Sequence, residues 1–324
     1  MTSAQAKTPV IFDHDGGIDD ILSLLLTLTM PQVELKGVCI TPADCYPDDA
    51  LTSSLKLLTL AGQTEVPVAV GNLVGPNPFP PEWRAQPRVC HAMPQMLRIE
   101  ECRDNVQPVA AHEWLVDYLS HCTQKVTVVM TGPASNLAWV LKRHPQLASK
   151  IEQVIWMGGA VEVKGNVAMH DHDGSAEWNA YWDPQATYDL VHSDVNLLMV
   201  PLDATNALPV ERAFLQNLAQ ADTALSDLAG QLWAATTTAI PAYEFTYFLW
   251  DILATSILGL PVKSYSVKER LLSVQTTTPC AGQTFINDEG SLVRWISEVD
   301  AQQVIEYVTE QFSGPLEKLK FAKC

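Results

Sequence analysis

The sequence predicts an α/β fold: an open, mostly parallel sheet flanked by helices, with residues 1–324 in a single domain carrying long active-site loops. Three observations lead there. Short apolar, β-branched runs alternate with helical patterns, as strand–helix crossover units do. No internal repeat, low-complexity tract or linker-like boundary interrupts the alternation. The unusual polar residues fall where predicted strands end, which is where open α/β sheets bind ligands.

Taken in order, Pro9-Val10-Ile11-Phe12 forms the first strand, and the leucine density of Ile18 to Leu28 predicts a buried helix. Val33 to Ile40 is a second strand, followed by a helix over Asp49 to Leu60, a strand over Val66 to Val70 and a helix around Ala110 to Tyr118. The strand Val126 to Met130 leads into a helix from Ala134 to Lys142, then the strand Ile151 to Met157. Later units are the helix Pro184 to Val191, the strand Asn196 to Pro201, a helix-rich stretch from Val210 to Thr255, and mixed strands from Val267 ending in a helix over Ala301 to Phe312. Two interruptions are long for a compact domain. Gly71 to Asn105 is rich in proline and holds NPFPPEWR, and Gly158 to Asp183 is rich in Gly, Asp and His. Loops of that length usually carry function.

Composition narrows the partners. Thirty-seven Asp and Glu oppose 20 Lys and Arg, for a net charge of −17, and no basic patch relieves it, so neither nucleic acid nor an anionic membrane is an expected partner. The start MTSAQAKTPV lacks the apolar core of a signal peptide, and Ile21 to Met30 is too short to span a bilayer. Seven cysteines (Cys39, Cys45, Cys90, Cys102, Cys122, Cys280, Cys324) are scattered and never spaced as CxxC. They read as reduced thiols, and the expected location is the cytoplasm.

The strongest chemical signal is Asp13-His14-Asp15-Gly16-Gly17-Ile18-Asp19-Asp20, with four carboxylates at the end of the first strand. Asp19 alone could cap the next helix, but one cap does not need four acids. Packed carboxylates repel unless protonated or held by a cation, and hard oxygen donors without a Cys or His cluster point to Ca²⁺ or Mg²⁺. Met130-Thr131-Gly132-Pro133-Ala134-Ser135-Asn136 runs from strand into helix, leaving a strand-end carbonyl such as that of Thr131 free for a ligand or metal, although this is also a common connection. Asn166 and Glu177-Trp178-Asn179 suit sugar hydroxyls, or equally turns that satisfy their own backbone. Trp250-Asp251 follows Tyr243, Phe245, Tyr247 and Phe248. Aromatic runs usually belong to a core, yet Trp83 in the other long loop could join Trp250 in sandwiching a flat ligand. His170-Asp171-His172 has the look of a metal pair, but alternate residues in a polar loop usually point at solvent.

These residues resemble the nucleoside hydrolases, which cleave the N-glycosidic bond of ribonucleosides. Asp13, Asp15, Asp19 and Asp20 fill DxDxxxDD, followed in the family's order by MTGPASN, WMGGAV at Trp156, GNV at Gly165, AEWN at Ala176 and WD at Trp250. NPFPPEWR and the WD pair resemble the purine-preferring, inosine-adenosine-guanosine branch. The resemblance implies an open α/β core and a Ca²⁺ ion held by Asp15, Asp20, the Thr131 carbonyl and Asp251, with Asp15 also the general base. It implies ribose contacts from Asp19, Asn166, Glu177 and Asn179, stacking of the purine by Trp83 and Trp250, and an acid in the pocket at Asp44. It further implies a homo-oligomer, dimer or tetramer.

The chemistry is coherent with that expectation. Breaking C1′–N9 builds positive charge on the ribosyl ring, which carboxylates stabilise more in the transition state than in the ground state. Pyrimidine-accepting relatives are similar to one another in using a late histidine as acid, and this chain has no histidine beyond His192. Two departures stand out: Gly17 lies where purine-branch relatives often carry a polar side chain, and Ala239 to Thr246 has no basic residue, leaving Glu244 and Tyr247 as candidates there. Two other readings remain. Phe12-Asp13-His14-Asp15-Gly16 is similar to the first motif of haloacid-dehalogenase-type Mg²⁺ phosphatases, although no later lysine and acidic pair follow suitably, and a non-catalytic nucleoside or sugar binder would keep Asn166 and Asn179 without needing four acids.

Overall fold

The computed structural model describes residues 6–81, 84, 88–239 and 246–314, with side chains left out for 236–239. Among the described residues nine strands form one sheet: β1 (Thr8–His14), β2 (Val33–Ile40), β3 (Val68–Val70), β4 (Val126–Met130), β5 (Ile151–Met157), β6 (Leu197–Val200), β7 (Tyr265–Val274), β8 (Thr284–Ile286) and β9 (Ser291–Val299). Their order is β3-β2-β1-β4-β5-β6-β9-β7-β8. Neighbours are parallel from β3 to β9, and only β7 against β9 and β8 is antiparallel. The expected α/β class, a mostly parallel sheet flanked by helices, is therefore what the chain forms.

The order reverses at β1. From there the chain works outward to β2 and β3, then returns to β4 on the other side, which leaves a crevice between the carboxyl ends of β1 and β4. The ladder runs to those ends: Asp13 stands opposite Cys39 and Met130. Just past them, Thr41 N–H donates to the His14 carbonyl at 2.8 Å and Thr131 N–H to the Asp13 carbonyl at 2.9 Å, so the loops leaving β2 and β4 are pinned to β1.

Strand periodicity divides the core. Val10, Phe12, Val38, Ile40 and Val129 pack on one face with α1 (Ile18–Thr29) and α2 (Pro47–Leu60), while Ile11, Cys39, Val128, Met130 and Trp156 pack on the other with helices Ala111–His121 and Ser135–Arg143. Every residue of α1 is buried, because it lies between the sheet, α2 and the helices Trp250–Ser256 and Ala301–Phe312. That explains its leucine density all round.

Element limits shift slightly from the sequence expectation. β1 continues to His14, β3 is confined to Val68–Val70, and the helix-rich stretch resolves into Arg212–Gln220, Ala224–Ala239 and Trp250–Ser256. Each long loop holds short helices, Arg88–His91 and Pro94–Leu97 in the first and Trp178–Trp182 in the second. The loops also meet: Phe79 stacks on Trp178 with centroids 4.7 Å apart, over a small cluster of Val167, Ala176, Tyr181 and Ala281. Among the described residues, no helix is long and apolar enough to cross a membrane.

Because α1 is enclosed, truncation there leaves a cavity that its surroundings cannot fill. Leu25→Ala is expected to cost about 2–5 kcal/mol, checked as the change in unfolding free energy in urea.

Candidate active site

β1 delivers His14 to the crevice, and a tight turn then reverses the chain into α1. Gly16 makes the turn possible. Its φ is +86°, and a Cβ there would lie 2.6 Å from the Ala50 Cβ and 2.9 Å from the Cys45 Cβ. The turn sets Asp15 across the crevice and puts Asp19 and Asp20 in the first turn of α1. Asp20, rather than Asp19, caps that helix: its Oδ2 accepts from Gly17 N–H at 2.8 Å, while Oδ1 accepts from the Thr131 hydroxyl at 2.5 Å. Asp251 arrives from the first turn of helix Trp250–Ser256.

The resulting box is dense. Asp19, Asp20 and Asp251 each place a carboxylate oxygen within 4.8 Å of the others. Asp15 adjoins Asp20 and accepts from Asp44 N–H on Oδ2 at 3.1 Å. The most compact trio thus includes Asp19, which the resemblance gave to ribose, with Asp15 beside it. All four side chains are buried, and among the described residues no Lys, Arg or His forms an ion pair with them.

Burial is the first cause of their altered acidity. It pushes Asp15 up, with the charges of Asp20 and Asp44 adding to it, and lifts Asp19 from 3.8 to about 6, with Asp20 contributing. Asp251 is raised by burial and then by Asp19, Asp20 and Asp15. Buried oxygen donors that repel one another are a good match for a hard divalent cation, which neutralises the repulsion without needing nitrogen or sulfur ligands. The donor set therefore fits a metal ion.

Thr131 reaches the box through its hydroxyl, on Asp20, while its strand-end carbonyl accepts from Asn179 Nδ2 at 2.8 Å. A second bond from Asn179 Nδ2 to the Met157 carbonyl, at 3.1 Å, ties the ends of β4 and β5 together. Glu177 caps helix Trp178–Trp182, and its two oxygens accept from the backbone N–H groups of Gly159, Asn179 and Ala180 at 2.9–3.2 Å. Burial nevertheless raises it from 4.5 to about 7. Asn166 Oδ1 accepts from Trp178 N–H at 3.1 Å. Asn166, Glu177 and Asn179, three of the four residues expected to bind ribose, are thus linked around the start of helix Trp178–Trp182; of these Asn179 reaches Thr131, and all three also organise backbone.

Asp44 and Gly17 explain each other. A Cβ on Gly17 would sit 2.7 Å from Asp44 Oδ2 and 2.8 Å from Asp20 Oδ2, so the space a side chain would fill is held by acids. Trp250 is half-buried next to Asp251, edge-on to Tyr247 with centroids 4.8 Å apart. Trp83 and Glu244 lie outside the described residues, so the proposed sandwich is represented here by Trp250 alone.

Several participants escaped the sequence reading of the acidic motif. Asp13 does not join the box: its Oδ1 accepts from the Thr41 hydroxyl and from Asn136 Nδ2, each at 3.2 Å, and Asn136 Nδ2 also reaches the Thr41 hydroxyl at 2.9 Å. It braces the ends of β1, β2 and β4, and burial lifts it from 3.8 to about 7. Strand alternation separates Asp13 from His14, whose ring meets Ser54 Oγ of α2 at 3.0 Å and is lowered by burial to about 4, while Asp15 is set apart from Asp13 by lying past the end of β1. Tyr247, only a minor candidate in the sequence, donates its hydroxyl to Asp19 Oδ1 at 2.5 Å. His172 is structural: its Nε2 lies 2.9 Å from the Ala281 carbonyl and its Nδ1 accepts from Gly174 N–H at 3.0 Å, while His170 is exposed.

A family model described as inosine-uridine preferring nucleoside hydrolase matches residues 10–306. The pyrimidine-specific ribonucleoside hydrolase RihA of Photobacterium profundum is 29% identical over 241 residues, covering 69% of this chain and 70% of that protein. Its counterpart from Salmonella paratyphi B is 30% identical over 226 residues, with the same two shares. The inosine-uridine preferring nucleoside hydrolase structure from Bacillus anthracis is similar with a TM-score of 0.86 and 32% identity, over 94% of this chain and 99% of that one. A purine-preferring ribonucleoside hydrolase from Gardnerella vaginalis has a TM-score of 0.79 at 21% identity, over 97% of this chain and 100% of that one, a likeness of fold alone. Matches of this extent leave no place for the phosphatase alternative, whose resemblance stopped at the first motif.

The buried acids imply a pH dependence of stability once divalent cations are stripped. Asp13, Asp19 and Glu177 hold protons more tightly folded (about 7, about 6 and about 7) than at their ordinary values of 3.8, 3.8 and 4.5. The stability they contribute is complete below those ordinary values and is lost as pH rises through about 6 to 7. His14 runs the other way, its contribution present above 6.5 and lost as pH falls through about 4. The acids outnumber it, so the stripped protein is expected to melt higher at about pH 5 than at about pH 8. Glu177→Gln, which cannot take up the proton, should flatten that difference in thermal melts at the two pH values.

Proposed function

The chain belongs to the inosine-uridine preferring nucleoside hydrolase family, and on that premise we propose that it hydrolyses the N-glycosidic bond of purine ribonucleosides to ribose and free base, with Ca²⁺ as its metal. The observation that carries the reading is the buried box of Asp15, Asp19, Asp20 and Asp251 with Trp250 placed directly beside it. Asp15, Asp20, Asp251 and the Thr131 carbonyl would hold the ion. A bound divalent cation supplies charge that acidifies an adjacent water and orients ribose hydroxyls.

The residues of the chain do the rest. The Asp15 carboxylate takes a proton from the attacking water, and the surroundings that raise its pKa also make it a stronger base when ionised. Water oxygen bonds to C1′, the C1′–N9 pair leaves with the purine, and the purine gains a proton. Asp19, held by the Tyr247 hydroxyl, faces the positive charge that develops on the ribosyl ring. Asn166, Glu177 and Asn179 fix the ribose side, and Asp44 adds an acid at the rim. Trp250, with Trp83, stacks on the base, and an aromatic face favours a protonated purine by about 0.5–2 kcal/mol. This supports a leaving group activated without the late histidine that the sequence lacks. The free state of the six described cysteines supports a cytoplasmic setting, and the family resemblance supports a homo-oligomer, dimer or tetramer.

A second reading, preference for pyrimidine nucleosides, is favoured by the RihA relatives, which are named pyrimidine-specific. Reducing-sugar release from inosine, guanosine, uridine and cytidine separates the two. Purines are expected to react faster; the reverse order would overturn the purine preference, and a binder would release no sugar at all. Asp15→Asn should lower kcat by about 100-fold or more, the scale of a lost general base. Chelation is expected to lower the melting temperature, since a ligand held only by the folded state stabilises it, and an unchanged melt after verified metal removal would refute the bound ion.

A further inference from the structure

Arg84 lies in the first long loop, outside the carboxylate box, yet its side chain reaches the segment that grips Asp15. Its Nη2 donates to the Cys45 carbonyl at 2.7 Å, and its guanidinium lies over the Tyr46 ring, 4.3 Å from the centroid. On the other side of the same segment, Asp44 N–H donates to Asp15 Oδ2 at 3.1 Å and Cys45 N–H to the Asp15 carbonyl at 3.0 Å. Asp44-Cys45-Tyr46 is therefore held between a guanidinium and the proposed base.

We propose that Arg84 is a positioning residue for the hydrolysis, setting the orientation of Asp15 through the Asp44–Cys45 backbone. This rests on the reading of Asp15 as the base in nucleoside hydrolysis. The two amides that hold Asp15 come from a stretch without regular secondary structure, just ahead of α2, so no ladder of backbone bonds fixes them. Arg84 supplies two restraints on it, a charge-assisted hydrogen bond and a cation–π contact. The chemistry explains the residue type. An ammonium offers a point charge, whereas the broad guanidinium can bond to the Cys45 carbonyl while its Cζ lies over the Tyr46 ring.

The ribose hydroxyls and the base need not touch Arg84 for it to matter, since displacing a catalytic group by about 1 Å can cost about 100-fold. The loss should fall on kcat, because Asp15 acts in the chemical step, and less on KM.

The test is steady-state kinetics of the full chain on its best substrate among the four nucleosides, with melting temperatures for every variant. Arg84→Ala is expected to lower kcat about tenfold, within the range a displaced base allows, while KM changes less and the melt stays close to wild type. Arg84→Lys should recover part of kcat, and Tyr46→Ala should lose part of it. Wild-type kcat in Arg84→Ala would overturn the proposal. So would a raised KM at unchanged kcat, which would assign Arg84 to base binding, or a kcat loss that follows a lowered melt and is not recovered by lysine. Absence of sugar release by the wild type from any nucleoside would instead remove the nucleoside reading, and the proposal with it.

Discussion

Mutual repulsion among Asp15, Asp19, Asp20 and Asp251 is the constraint to which the surrounding structure answers. Four buried acids are gathered beside the end of β1, and Asp15, Asp19 and Asp251 are raised here mainly by loss of water. The fold offsets the repulsion with oriented donors rather than with counter-charges. Gly17 N–H and the Thr131 hydroxyl turn toward Asp20, Asp44 N–H toward Asp15 and the Tyr247 hydroxyl toward Asp19. The amino end of α1 adds its own positive partial charge under Asp19 and Asp20. Such donors are fixed before substrate arrives, so they hold the acids in place while leaving most of their negative potential unspent. That potential is what a divalent cation or a positively charged ribosyl group meets.

The sheet makes this arrangement possible because its strands end together. Loops leaving β1, β2 and β4 are sewn to one another by backbone bonds and by the buried Asp13–Thr41–Asn136 group. Asn179 does the same for β4 and β5. The second long loop therefore combines two tasks: it carries Asn166, Glu177 and Asn179, proposed for ribose, and it stitches strand ends. A change at Glu177 or Asn179 would disturb both, since their polar atoms are shared with the backbone. The aromatic contacts of Trp250 with Tyr247 and Phe248 stand instead beside Asp251. The names of similar proteins, pyrimidine-specific, inosine-uridine preferring and purine-preferring, differ in the base they give.

The architecture and the chemical centre were largely legible in the sequence. Alternation of β-branched runs and helical periods determined the parallel sheet. The spacing of Asp15, Asp19 and Asp20 after a strand placed acids at its end, and Asp251 was recognisable from the WD pair through the family resemblance. Local patterns suffice for such features because a strand's period and a helix's first turn depend only on near neighbours. What only the tertiary structure decided is the allocation of partners. Asp13, equal to its neighbours in the motif, stays within β1 as a brace with Thr41 and Asn136, while Asp15 lies past the strand's end in the Gly16 turn. Asp20 takes the cap expected of Asp19, and Asp44 fills the space that makes Gly17 a glycine. Tyr247 and Arg84 come from segments separated in sequence from their partners Asp19 and Cys45, and nothing near them in sequence indicates an acid or a carbonyl to bind. Each of these assignments depends on which surfaces pack together across the sheet, and a hydrogen bond or an excluded Cβ is a relation between two such surfaces, which neither segment encodes alone.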